Sequence, residues 1–178
     1  MDMANNIGAH MSSIELGDES YLSPLAGSYP VRAPVWWGRR GESTNNLNLP
    51  GVSGRFVVLV HKKTFKRLEK ILAKILRAPS QLRRPLDEMN SLLWELCDGR
   101  RSFESIVSLM DETFEEQIAP VTERTEAALR QLGERGFIIF SHSKFEYAWP
   151  TGPGIDPNGE LDKIDGIDSN PIDGDEIE

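Results

Sequence analysis

The chain has a single cysteine, Cys97, so no internal disulfide can form and no second thiolate is present to begin a zinc knuckle or an iron–sulfur set. Histidine is nearly as scarce. His10, His61 and His142 are scattered, with no carboxylate-rich or cysteine partner at ligand spacing, and no GxGxxG or GxxxxGK string exists to cradle a phosphate. Long apolar runs are missing too: the longest, Phe56 to Val60, is five residues, where a membrane span needs about 20 and a secretory core about 7 to 15. These absences point to a cytoplasmic, non-enzymatic protein without metal or cofactor. Asp156, Asn158 and Glu160 sit two apart like the start of a calcium loop, but Leu161 stands where the loop needs glycine, so a solvating tail is the plainer reading.

What the chain does have is charge, unevenly placed. Nine acids between Asp156 and Glu178 face one base, Lys163, and this tail alone accounts for the net charge of −8. Arg55 to Pro85 holds ten Lys and Arg against Glu69, whereas Leu86 to Trp149 holds thirteen acids against six bases. The body is electrically polarised. Residues 1 to about 30 mix Asn, Ser, Gly and Met without period and read as a disordered N-terminal arm. The stretch 150–178, in which an Ile-Asp pair recurs at Ile155, Ile164, Ile167 and Ile172, reads as a disordered acidic tail.

Between the arms the pattern is dense. Arg55 to His61 (RFVVLVH) is β-branched and aromatic and predicts a strand. Phe65, Leu68, Leu72, Ile75 and Leu76 then share one face of a basic amphipathic helix over Thr64 to Leu76. Gln81 to Leu86 (QLRRPL) predicts a short extended segment on a sheet edge, because Pro85 cannot donate to a ladder. Asp87 caps a helix whose Met89, Leu92, Leu93, Leu96 and Cys97 fall at i, i+3, i+4, i+7 and i+8 before Gly99. Ser102 caps a second helix carrying Phe103, Ile106, Val107, Met110 and Phe114. A third begins near Pro120 and buries Val121, Thr125, Ala128, Leu129 and Leu132, and Phe137 to Phe140 (FIIF) is a closing strand. Strand, strand, three helices, strand is an α+β layout of the winged helix-turn-helix kind: a small antiparallel sheet on three helices, with one extra amphipathic helix inserted. The last strand is expected to form a wing or to join the sheet.

Leu86-Asp87-Glu88, Trp94-Glu95-Leu96-Cys97-Asp98-Gly99, Ile106-Val107 and Arg135-Gly136-Phe137-Ile138 resemble the PqqD-like family, the pyrroloquinoline quinone biosynthesis protein D group also called RiPP precursor peptide recognition elements. The resemblance implies a PqqD-like domain over residues 31–149. It also implies a non-catalytic adaptor that binds the leader of a precursor peptide by β-augmentation and presents it to a modifying enzyme, often a radical SAM protein. Carried over, the peptide-binding strand is Leu82, Arg83, Arg84, Pro85 and Leu86, and the opposing wall is the third helix, where Thr122, Arg124, Leu129 and Gln131 are the candidate contacts. Relative to the family's minimal members, the helix at Thr64 is inserted and Pro85 removes one donor from the edge.

Each of these features has a plainer use. Arg83 and Arg84 fit an acidic leader equally with simple edge protection by charge. Arg124, Gln131 and Arg135 border one side of the third helix's apolar stripe, and Thr122, Leu129 and Gly133 the other; the sequence leaves open which side faces the groove. The basic helix fits weak association with an anionic surface, a salt-sensitive contact with the chain's own acidic tail, or simple coverage of the core. Cys97, on a buried stripe, reads as a core thiol, and His142 as a strand-end residue. Trp36, Trp37, Trp94 and Trp149 fit ligand stacking or the covering of core edges. Nucleic acid is the rival partner, because the helix-turn-helix layout is shared. Against it, the third helix sets Glu123, Glu126 and Glu134 against Arg124, Arg130 and Arg135, and the tail repels phosphate.

Overall fold

The computed structural model describes residues 22–45, 47–62, 81–145 and 166–168. The basic helix expected over Thr64 to Leu76, the Asp156–Glu160 triplet and Trp149 lie outside these residues. The described elements run β1 (Tyr29–Arg32), β2 (Trp36–Arg40), β3 (Phe56–Lys62), β4 (Gln81–Pro85), α1 (Glu88–Leu96), α2 (Phe103–Phe114), a 3-10 turn (Glu115–Ile118), α3 (Val121–Glu134) and β5 (Ile138–Ser141). The fold is α+β, with two small antiparallel sheets and three helices. One sheet has the order β2-β3-β4; the other pairs β1 with β5.

β3 is apolar on both sides because it is covered on both. Val57 and Leu59 point into the core shared with the helices, while Val58 and Val60 meet Trp36 on the opposite face. The helices begin where side chains can satisfy the orphan amides of a first turn. Asp87 accepts from the Asn90 amide at 2.8 Å and Ser102 from the Ser105 amide at 3.3 Å, while α3 starts behind Pro120. Gly99 holds φ at +77° in the link from α1 to α2, a conformation that a side chain resists, and its amide donates to Pro30 at 2.9 Å.

The structure departs from the sequence reading in four places. Residues 22–30, assigned by composition to a floppy arm, are seated on the helices: Ser23 Oγ donates to Glu126 at 2.8 Å, the Gly27 amide donates to Glu104 at 2.7 Å, and Ser28 O accepts from the Phe103 amide. Burial works to raise the Glu104 carboxyl, but hydrogen bonds from Gly27, its own backbone and Ser102 outweigh it and hold the pKa below the ordinary value. Second, β1 and β2 had no clear signal. Third, Trp37 and Trp94 lie inside the core rather than at its edge, fully buried in an edge-to-face pair with centroids 5.9 Å apart. Fourth, of the two alternatives for the closing strand, a wing or a place in the sheet, the second is not met: β5 pairs with β1 in a two-stranded sheet apart from the three-stranded one. Three residues of the acidic tail, Gly166 to Asp168, also lie beside β2.

Candidate functional site

β4 is extended because Pro85 disfavours helix in the residue before it and Asp87 starts α1 two residues later. Its register pairs Pro85 with Val58, Arg84 with Leu59, Arg83 with Val60 and Leu82 with His61. Among the described residues β4 pairs with β3 alone, and none of them adds a strand to its other edge. Cross-strand partners share a face: Leu82 and Arg84 therefore lie on the helix side with Leu59 and His61, whereas Arg83 lies on the opposite face. The two arginines, grouped together in the sequence reading, are separated by the pleat. Leu82 is 38% exposed. The His61 ring lies tilted against Phe137, with centroids 5.3 Å apart; burial first, and the neighbouring Arg84 charge second, push its pKa below the ordinary value.

Past the end of β4, a cavity of about 300 Å³ opens between α1, α2 and α3. Met89, Leu93, Met110, Ile118 and Ala128 give it apolar walls, and Asp87, Asn90 and Arg124 supply polar groups. Thr125, only 1% exposed, also lines it, and its hydroxyl has no hydrogen-bond partner among the described residues. A buried polar atom without a partner costs about 1–3 kcal/mol. A hydroxyl left in that state on the wall of an apolar cavity is a place where an incoming group is stabilised.

The structure divides α3 differently from the two borders read in the sequence: Arg124 lines this cavity, and Gln131, placed on the same border, does not. The Arg124–Ala128 border looks into this cavity, while Gly133 backs onto Phe140 and Ile138 near β5. Arg124 is exposed and donates to Gln117 O at 2.7 Å. Thr122 and Leu86 are half-buried, Leu86 packing against the core. Gln131 is exposed on the outer face beside Arg130 and Glu134. Leu129 is fully buried; it supports the wall from behind and offers no surface to a ligand.

Residues 84–138 match the family model Coenzyme PQQ synthesis protein D (PqqD). This segment is PqqD-like. The match starts inside β4, takes in all three helices and the cavity between them, and stops at the first residue of β5. No curated protein and no solved structure matches the chain. β1, β2 and β3 thus lie outside the PqqD-like segment, although β3 supplies the partner of its first strand.

Sequence reasoning missed the polar joint that fastens the PqqD-like segment to β2. Glu95 of α1 is buried, and Arg39 Nε donates to its Oε1 at 2.6 Å. Ser53 donates to the same carboxylate through its amide (2.9 Å) and its hydroxyl (2.6 Å), and the Gly54 amide adds a longer bond at 3.3 Å. Arg39 also lies over the Trp37 ring, with Cζ 4.9 Å from the centroid. The signal was present in the string Trp94-Glu95-Leu96: a helix apolar on every side of one glutamate buries that glutamate with a partner. Cys97 is buried as expected, its thiol donating to Leu93 O at 3.0 Å and its pKa pushed up by burial. Among the described residues no group of histidine, cysteine and carboxylate side chains is placed to hold a metal, and no helix is long and apolar enough to cross a membrane.

Proposed function

We propose that this protein is a non-catalytic peptide-binding adaptor. An extended segment of a precursor or similar peptide adds to the open edge of β4, and one of its side chains enters the cavity bordered by α3, from where the peptide is presented to a modifying enzyme. The observation that supports this most is a strand edge that no other described strand covers, ending beside an apolar cavity, with the cavity and the last two residues of the strand inside the segment that matches the PqqD family. Backbone pairing supplies affinity and the cavity supplies register. Leu82 and Arg84 share the cavity-side face and meet the incoming strand there, while Arg83 steers acidic segments from the other face. Pro85 has no N–H, so the added ladder is anchored on Leu82 to Arg84.

The test is a pull-down from native lysate with the full chain, nuclease-treated, reading short peptides and proteins by mass spectrometry beside the double variant Arg83→Glu, Arg84→Glu. Peptides captured by the wild type and lost by the variant, at an unchanged melting temperature, are the expected result. Capture that disappears with nuclease moves the assignment to a nucleic-acid regulator, and parallel loss of binding and folding makes the arginines structural.

A further inference from the structure

The other edge of the same sheet is occupied. Arg39 and Asp168 exchange two backbone hydrogen bonds, each 2.7 Å, in an antiparallel bridge on the free side of β2. Ile167 packs against the small cluster of Trp36, Val58 and Val60 on the face away from the helices. Its side chain enters a gap that exists because residue 38 is glycine: a Cβ there would overlap Ile167 Cγ2. Asp168 Oδ2 receives Arg55 Nη1 at 3.0 Å, and Arg55 is itself steadied by donating through Nε to Gly41 O at 2.7 Å. One backbone pair, one notch for a branched aliphatic chain and one cation for the carboxylate together read two consecutive residues, isoleucine and then aspartate.

We propose that the free edge of β2 is a docking site for an Ile-Asp step and that the acidic tail is its tethered ligand. The tail repeats this step at Ile155, Ile164, Ile167 and Ile172, a frequency that a merely solvating tail does not need. A ligand tethered in the same chain acts at an effective concentration on the order of millimolar, so the tail covers an edge otherwise open to pairing with other strands. The inference concerns β2 and does not depend on the peptide reading of β4.

The experiment uses the full chain and a labelled synthetic peptide of residues Lys163–Ser169, followed by fluorescence anisotropy. In the chain with Ile155, Ile164, Ile167 and Ile172 all changed to Ser, the peptide should bind at least about tenfold more tightly than to the wild type, whose own tail competes. In that background Gly38→Ala should abolish binding at an unchanged melting temperature, and Arg55→Gln should weaken it several-fold, less so at high salt. Hydrogen exchange provides a second readout: the Arg39 amide should be slow in the wild type and fast in the four-serine chain. Equal peptide binding by the two chains, no binding by the four-serine chain, or binding untouched by Gly38→Ala would overturn the proposal.

Discussion

The two edges of the three-stranded sheet are built from different material. β2 carries Arg39, whose side chain is locked under the sheet on Glu95 while its backbone bonds to Asp168. β4 carries Leu82 and Arg83, both exposed, and for these two no such joint is found among the described residues. β2 is therefore anchored from within and capped from outside, whereas β4 is held by its ladder to β3 and by the short link into α1. A strand meant to receive a partner is better left with its edge bare, and one that must not receive any is better covered. The comparison teaches that edge availability is set by what lies beneath and beside a strand, more than by the strand's own residues.

The sharpest way to break the comparison is Glu95→Ala, which leaves the Arg39 guanidinium buried without its carboxylate. It should cost about 3–5 kcal/mol in thermal or urea unfolding, whereas Arg83→Ala on β4 should stay within about 0.5 kcal/mol. Similar values for the two would mean that the edges are not differently anchored. Next in size is Ser91→Ala. The Ser91 hydroxyl accepts from the Val57 amide at 2.9 Å and ties α1 to β3, so its loss leaves a buried amide unpaired at a cost of about 1–3 kcal/mol. The same change should speed hydrogen exchange in β4 more than in β2.

The smallest effect is a pH dependence from His61, opposite Leu82. Its folded pKa lies below the ordinary 6.5, through burial and then Arg84, so the unfolded chain takes up the proton more readily. Its contribution to stability is complete above about pH 6.5 and is lost as pH falls toward the folded value. Arg84→Gln should raise the His61 pKa part of the way back, as read by NMR titration, with the burial component remaining. No rise would mean that Arg84 does not sense this face of the sheet.

Much of the helical half was legible in the sequence because its signals are local. Asp87 and Ser102 cap within three residues of themselves, and the apolar stripes of α1, α2 and α3 repeat at the spacing of a turn. QLRRP also declared an edge strand, since proline forbids an interior one. The strands β1 and β2 were not legible: Tyr29–Arg32 contains a proline, and WWGRR places a charged residue, Arg39, on the core face, where alternation predicts an apolar one. Its partner Glu95 is 56 positions away, and no local window relates the two. The candidate site was half visible for the same reason. Arg124 was named, but the cavity, the unpartnered Thr125 hydroxyl and the burial of Leu129 depend on how three helices meet.

By itself, then, the sequence determined the three helices with their caps, the extended segments at β3, β4 and β5, the polarised charge and the resemblance carried by Leu86 to Ile138, all properties set by neighbours a few residues apart. Only the tertiary structure decided which sheet β5 joins, which residues of α3 line the cavity, where Arg39 and Glu95 find each other, and which edge residues 166–168 lie beside. Those depend on contacts between residues far apart in the chain, whose energies come from burial and pairing and exist only once the elements have packed.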